Sequence, residues 1–378
     1  MYRIPFNKPF ISGNELNYIK DAVDTGKISG DGKYTRLCQQ FFEARYGYRK
    51  TLLTSSCTDA LEMAALLCNI QPGDEVIAPS YTFVSTVNPF ILRGAIIRFA
   101  DSRGDHPGID ELAVEKLINP KTKAIVVTHY AGIACNMQQL QSVAQQHQLW
   151  LIEDAAHAID AYFEDRPLGG IGHMAAFSFH ETKNIISGEG GMLVLNDPQL
   201  VERAEIIREK GTDRSKFFRG ETDKYRWVDV GSSFLPSDIT AAFLFAQLEN
   251  IDMIQERRKY LWNQYREGFA LLAHERKVRL PYLPPYASNN AHIFYLISNS
   301  PAERDNLIQR LAEVGILAVF HYLPLHNSPY FVKRNNGAEL PMSVYFSDHL
   351  LRLPLFYSLS DDEQQLIINH VYQFYGCN

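Results

Sequence analysis

The stretch Trp150-Leu151-Ile152-Glu153-Asp154-Ala155-Ala156-His157 sets an apolar triplet against two carboxylates and then small residues. A short, wholly apolar run bounded by polar residues reads as a strand buried on both faces, the kind found in parallel sheets. The acidic pair then lies at the C-terminal edge, where open α/β sheets bind ligands. A carboxylate buried there needs a cation or hydrogen-bond donors. Capping of a following helix is the plainer use for Asp154, so the surrounding pattern has to decide.

Further strand-sized runs stand at 51–54, 75–78, 96–100, 124–128, 175–179 and 192–195, most of them bounded by Gly, Pro, Asp or Asn. Helical patterns fall at 15–25, 34–46, 59–68 and 137–147. Strands interleaved with helices predict an α/β architecture around a mainly parallel sheet. The character changes after Pro236. Residues 237–275 are helical and amphipathic, with a break expected near 249–252. The remainder alternates: strand 292–298, helix 302–314, strand 316–321, a loop rich in Pro and His, and a closing helix 361–375. The expected organisation is a large α/β domain over 1–236, a connecting helical segment over 237–275 and a small α+β domain over 276–378.

Composition removes several function classes. The chain has 378 residues, 46% hydrophobic and 21% charged, with 37 Lys and Arg against 43 Asp and Glu, a net charge of −6. That is ordinary for a soluble globular chain. Without a basic block there is no footprint for a nucleic-acid backbone. No apolar run is long enough to span a bilayer, and Met1-Tyr2-Arg3-Ile4-Pro5 does not resemble a secretory leader. Five widely spaced cysteines with no CxxC pair point to a reducing compartment, so a cytoplasmic enzyme is expected. The histidines show no HExxH or comparable spacing, and no metal is expected.

Two further segments carry chemistry. Ser55-Ser56-Cys57-Thr58 ends one strand and opens a helix, which leaves unbonded N–H groups suited to a phosphate or, more plainly, to a side-chain cap. Ser178-Phe179-His180-Glu181-Thr182-Lys183-Asn184 follows another strand and leads into Gly188-Glu189-Gly190-Gly191. A desolvated lysine there can form a Schiff base with a carbonyl cofactor, and a protonated pyridine nitrogen would supply the cation Asp154 needs. Asp154 and Lys183 are one strand-plus-turn apart, which allows both to reach the same sheet edge. Gly170-Ile171-Gly172-His173-Met174-Ala175 matches a dinucleotide fingerprint in letters only, because it precedes a strand rather than a helix. A nicotinamide-dependent oxidoreductase is disfavoured for that reason.

Six motifs in order complete the pattern: Ser56-Cys57-Thr58-Asp59-Ala60-Leu61, Pro79-Ser80-Tyr81-Thr82-Phe83-Val84, His129-Tyr130-Ala131-Gly132, Glu153 to His157, Ser178-Phe179-x-x-x-Lys183 and Gly188 to Gly191. In this the chain resembles the DegT/DnrJ/EryC1 nucleotide-sugar aminotransferases, which are fold-type I pyridoxal phosphate enzymes. The likeness runs essentially end to end, through His321-Tyr322-Leu323-Pro324-Leu325-His326 to Leu353-Pro354-Leu355-Phe356.

The resemblance implies pyridoxal 5′-phosphate as cofactor, Lys183 as its Schiff-base lysine and Asp154 as partner of the pyridine nitrogen. His157 is placed near the phenolic oxygen and Phe83 on the ring, with Cys57, Thr58, Asp59 and Ser178 toward the phosphate. Tyr81, His326 and Arg219 are expected at the substrate, and Ser233 at the phosphate of a neighbouring subunit. Two departures from the family pattern stand out: Cys57 stands where Gly is usual, and Ser233 and Leu235 stand where many relatives carry Asn and Arg. The implied reaction is transamination of a nucleotide-linked keto sugar, dTDP-4-keto-6-deoxy-D-glucose, with L-glutamate as amino donor, in a homodimer or larger homo-oligomer. The alternatives are a sister enzyme giving the opposite C4 epimer or a 3-amino sugar, and a non-catalytic sensor on the same fold.

Overall fold

The computed structural model describes residues 2–334 and 339–376, so Cys377 lies outside the described residues. The large sheet contains β1 (Lys50–Thr54), β2 (Glu75–Pro79), β3 (Ile96–Ala100), β4 (Thr122–Thr128), β5 (Trp150–Asp154), β8 (Met174–Ser178) and β9 (Gly191–Leu195), with a small hairpin, β6 (Tyr162–Phe163) and β7 (Arg166–Pro167), between β5 and β8. Its strand order is β1-β9-β8-β5-β4-β2-β3. Neighbours from β3 to β8 pair in parallel, while β9 runs against both β8 and β1. One reversed strand in seven leaves the sheet mainly parallel, as the interleaved pattern predicts.

Side chains alternate across this sheet and supply a core on each side. Ile125, Val127, Leu151, Phe177, Met192 and Val194 pack on one face. Ala124, Val126, Ile152, Ala176, Leu193 and Leu195 pack on the other, against the helix Cys57–Leu67. Each large aliphatic side chain buried in this way contributes roughly 2 kcal/mol. By the same alternation Glu153 follows the Leu151 face and Asp154 the Ile152 face.

The helical stretch after Pro236 is three helices, Asp238–Leu248, Ile251–Gly268 and Ala270–His274. The middle one spans two cores: Ile251 and Ile254 pack with the large sheet, Leu261, Trp262 and Tyr265 with the C-terminal elements. A second, antiparallel sheet follows, formed by β10 (Val278–Arg279), β11 (Phe294–Ser298), β12 (Val319–Phe320) and β13 (Leu350–Leu353), in the order β10-β11-β13-β12.

Two of its strands are shorter than the apolar pattern predicts. His292 is held by a turn instead of the ladder, since its N–H donates to Asn290 Oδ1 at 3.1 Å. Ile316 and Leu317 pair with Ile4 from the other end of the chain, and Ile4 fills the same C-terminal core. No helix of the described residues is long and apolar enough to cross a membrane.

Candidate active site

The C-terminal ends of the parallel strands open onto a cleft of about 650 Å³. Cys57 and Thr58 enter it from the start of the helix that follows β1, Thr128 ends β4, Asp154 ends β5, Ser178 ends β8, and Gly190 precedes the reversed β9. His292, Phe320, His321, Tyr322 and Arg352 close it from the C-terminal part of the chain.

At one end lies the start of the helix Cys57–Leu67. Ser56 caps it, its Oγ accepting from the Asp59 N–H at 3.0 Å. The Cys57 and Thr58 N–H groups have no acceptor among the described residues. The cap and the open N–H groups coexist, so this end retains donors and a positive helix terminus for an anion. A Cβ on Gly191 would lie 2.2 Å from the Ser56 carbonyl carbon, so glycine is what lets β9 approach the turn.

Asp154 is 5% exposed. Its Oδ2 accepts from Thr86 Oγ1 at 2.6 Å, and its Oδ1 from the Ala156 N–H at 3.2 Å. Thr82 bridges Thr86 and Thr128 at 2.7 and 3.0 Å, so a row of hydroxyls fixes Thr86 and through it the carboxylate. Burial raises the Asp154 pKa, against the Thr86 and Ala156 hydrogen bonds and the positive charge of Lys183. Two donors do not fill the capacity of an ionised carboxylate, and a cationic N–H in the cleft would restore the charge that burial resists.

Lys183 lines the same cleft and its amine forms no side-chain hydrogen bond or ion pair among the described residues. Burial pushes its pKa down to about 8; Cys57 and Asp154 oppose that shift and Arg352 adds to it. A neutral, unpaired amine near pH 8 is a nucleophile and a base. His157 Nδ1 accepts from the Ala131 N–H at 3.3 Å, which leaves its Nε2 to face Tyr322 Oη at 3.5 Å. Burial, with the charges of Lys183 and Arg352, holds His157 neutral.

The chain's likeness to known proteins agrees with this geometry. Residues 9–372 match the DegT/DnrJ/EryC1/StrS aminotransferase family. The chain belongs to that family. It is 31% identical over 377 residues to the Bacillus subtilis spore coat polysaccharide biosynthesis protein SpsC, covering 97% of this chain and 96% of that protein. Among solved structures, S. venezuelae DesV in complex with a ketimine intermediate superposes with a TM-score of 0.89 at 29% identity, over 99% of each chain. A structure from Streptococcus pneumoniae assigned as a sugar aminotransferase, in its PLP form, gives 0.91 at 26% identity over 99% of each chain. The enzyme is a pyridoxal phosphate-dependent sugar aminotransferase, and the cleft fits that cofactor: N–H donors at one end, an underfilled carboxylate, and an unpaired lysine.

Cys57, Thr58, Phe83, Asp154, His157, Ser178 and Lys183 meet in the cleft. Asp59, Tyr81, Arg219, Ser233 and His326 do not line it. Asp59 is held by its N–H to the Ser56 cap. Tyr81 is 1% exposed and packs edge-on to Tyr130 and Tyr322. His326 is buried and bonded through Nδ1 to Ser80 Oγ at 2.6 Å. Ser233 and Arg219 line a separate cavity of about 870 Å³, where Arg219 pairs with Glu205 and Glu221.

Sequence reasoning did not single out Thr86, Thr128, His292, Tyr322 or Arg352. For Arg352 a signal exists: it interrupts the apolar run Leu350-Leu351-Arg352-Leu353.

Proposed function

We propose that the enzyme moves an amino group from L-glutamate to the C4 keto carbon of dTDP-4-keto-6-deoxy-D-glucose, giving dTDP-4-amino-4,6-dideoxy-D-galactose, as a cytoplasmic homodimer or larger homo-oligomer. The observation that carries the reading is the facing of Asp154 and Lys183 into one cleft beside the open helix start. The choice of sugar rests on wording. Phe177-Ser178-Phe179-His180-Glu181-Thr182-Lys183-Asn184, Arg208-Glu209-Lys210-Gly211-Thr212 and Val230-Gly231-Ser232-Ser233-Phe234-Leu235 are similar to segments of the enterobacterial dTDP-4-amino-4,6-dideoxygalactose transaminase, an enzyme of surface-polysaccharide synthesis.

When bound, pyridoxal phosphate supplies a carbonyl that carries the amino group and a ring that takes up the electrons of a breaking C–H bond. In this reading Asp154, steadied by Thr86, holds the proton on the ring nitrogen. The Cys57 and Thr58 amides with the Thr58 and Ser178 hydroxyls take the phosphate. Phe83 and His157 border the ring, Asp59 supports the phosphate turn, and Tyr81 and His326 back the substrate wall. Lys183 Nζ removes the proton from the α-carbon of the donor in one half-reaction and delivers a proton to sugar C4 in the other. Ser233 and Arg219, on a different face, serve the neighbouring subunit.

Incubation of the loaded enzyme with L-glutamate and the 4-keto sugar, followed by NMR of the product, tests the reading. An axial C4 amine is expected. An equatorial amine or a 3-amino sugar would assign the enzyme to a sister reaction, and no product from any nucleotide keto sugar would leave the sensor reading.

A further inference from the structure

Two arginines, Arg208 and Arg258, are buried, and both have permanent partners. Arg258 donates to the carbonyls of Ala291 and His292 at 3.1 and 2.9 Å. Arg208 is paired with Asp31 and donates to Gln39 Oε1 and the Leu53 carbonyl. Arg352 differs. It projects from β13 into the cleft that holds Lys183, and it forms no ion pair among the described residues.

Its Nε is buried without an acceptor. Its Nη1 donates to His321 Nε2 at 3.3 Å, and the guanidinium carbon lies 4.5 Å from the centre of the Phe6 ring. His321 is itself fixed, its Nδ1 lying 3.1 Å from Tyr130 Oη. A guanidinium carries five N–H donors in a planar fork suited to a carboxylate, and leaving them unmatched in a partly desolvated site is costly. Here the fork is oriented by a neutral histidine and an aromatic face, and no carboxylate of the described residues pairs with it.

We infer that Arg352 binds the α-carboxylate of the amino donor, making the cleft selective for α-amino acids over simple amines. The inference rests on the proposed function and names a residue for its donor half. Position favours a carboxylate over the sugar's diphosphate. The α-carboxylate hangs from the same carbon as the reacting amine, so its partner must be close to Lys183, and Arg352 is near enough to depress the Lys183 amine. The diphosphate is attached at C1, across the sugar ring from C4.

The test separates the half-reactions in the cofactor-loaded enzyme and in Arg352→Lys and Arg352→Gln. For Arg352→Gln, kcat/KM with L-glutamate is expected to fall about 100-fold or more, with Arg352→Lys between. The reverse partner of the cycle, keto sugar added to the aminated form, should change by less than about threefold, which also shows that the variant is folded. Wild type should prefer L-glutamate to 4-aminobutyrate, the same molecule without its α-carboxylate, and Arg352→Gln should lose that preference.

Calorimetric binding of 2-oxoglutarate to the PLP form provides a readout without turnover, and should weaken at least about 30-fold in Arg352→Gln. An undiminished glutamate half-reaction and undiminished 2-oxoglutarate binding would overturn the inference, as would a loss confined to the keto-sugar half. If wild type turned over no amino donor while 2-oxoglutarate binding still depended on Arg352, the proposed function would fail and the carboxylate site would stand.

Discussion

Glu153 and Asp154 are consecutive, both buried, and both at the end of β5, yet their surroundings differ in kind. Glu153 faces the Leu151 side and is saturated. Its Oε2 accepts from the Gly169 N–H at 2.7 Å and meets His129 Nε2 at 3.0 Å, and its Oε1 accepts from the Ile171 and Gly172 N–H groups at 2.8 and 2.6 Å. A Cβ on Gly172 would sit 2.7 Å from the Leu151 carbonyl oxygen, so glycine is what lets that turn fold over the carboxylate. Asp154, on the other face, has two donors and open space. A carboxylate fully bonded by its own chain ties the scaffold together; one left underfilled beside a cleft awaits a ligand. The two sides of one strand thus divide stability from chemistry.

The largest expected effect breaks the chemical side. Lys183→Ala should lower multiple-turnover amino transfer at least about 10⁴-fold while the apo fold is retained, measured by product formation and thermal unfolding. The neighbouring carboxylates should then respond in opposite ways. Asp154→Asn should cost about 10²–10³ in kcat with little change in melting temperature. Glu153→Gln should cost about 3 kcal/mol of stability while the cofactor still loads. If Glu153→Gln instead removed activity from a stable fold, the division between the two sides would be wrong.

The two sides should also titrate at opposite ends of the pH scale. Burial works against the Glu153 charge, but His129 and the Gly172 and Gly169 amides outweigh it and hold the pKa below 4.5. A lowered folded value means stability that is present above about pH 4.5 and is lost as the pH falls through the folded pKa. The stability gap between wild type and Glu153→Gln should therefore narrow in acid.

Lys183, pushed from 10.5 to about 8 by burial, behaves in the other direction. Below about pH 8 the amine is protonated and the apo protein bears the full cost of burying that charge; as the pH rises the amine sheds its proton in the folded state, and the cost disappears toward 10.5. Apo Lys183→Met should be more stable than wild type at pH 7 by roughly 2–3 kcal/mol, with the gap closing between pH 8 and 10.5. Denaturant titrations across that range measure it.

The smallest effect is expected at Arg219, which is itself exposed and pairs with the exposed Glu221 and the half-buried Glu205. Arg219→Ala should shift stability by no more than about 0.5 kcal/mol in dilute protein. A fall in activity that appears only in the assembled oligomer would locate the residue at the neighbouring subunit's site.

Much of this comparison was legible in the sequence. Short apolar runs between turn residues mark β2, β4 and β5 closely, because the centre of a strand buried on both faces must be apolar. The end of each run then indicates the functional edge, and Asp154 and Lys183 follow from it. What the sequence conceals is pairing. Gly191–Leu195 is as apolar as its neighbours, and nothing in its composition says that it runs the other way. Residues 316–317 read as part of a strand but pair with Ile4, a contact that no local pattern records. Which carboxylate is saturated also depends on contacts distant in sequence, since the donors to Glu153 come from the turn at 169–172 and from His129. Arg352 leaves a trace as the one arginine in a run of leucines, but that its strand borders the cleft depends on pairing with β11 and β12, which is distant in sequence.

The most direct measurement is borohydride reduction of the PLP-loaded protein followed by peptide mapping. The account predicts a single reduced cofactor adduct, on Lys183, formed in wild type and in Glu153→Gln alike. An adduct on another lysine, or none in a protein that carries the cofactor, would contradict it.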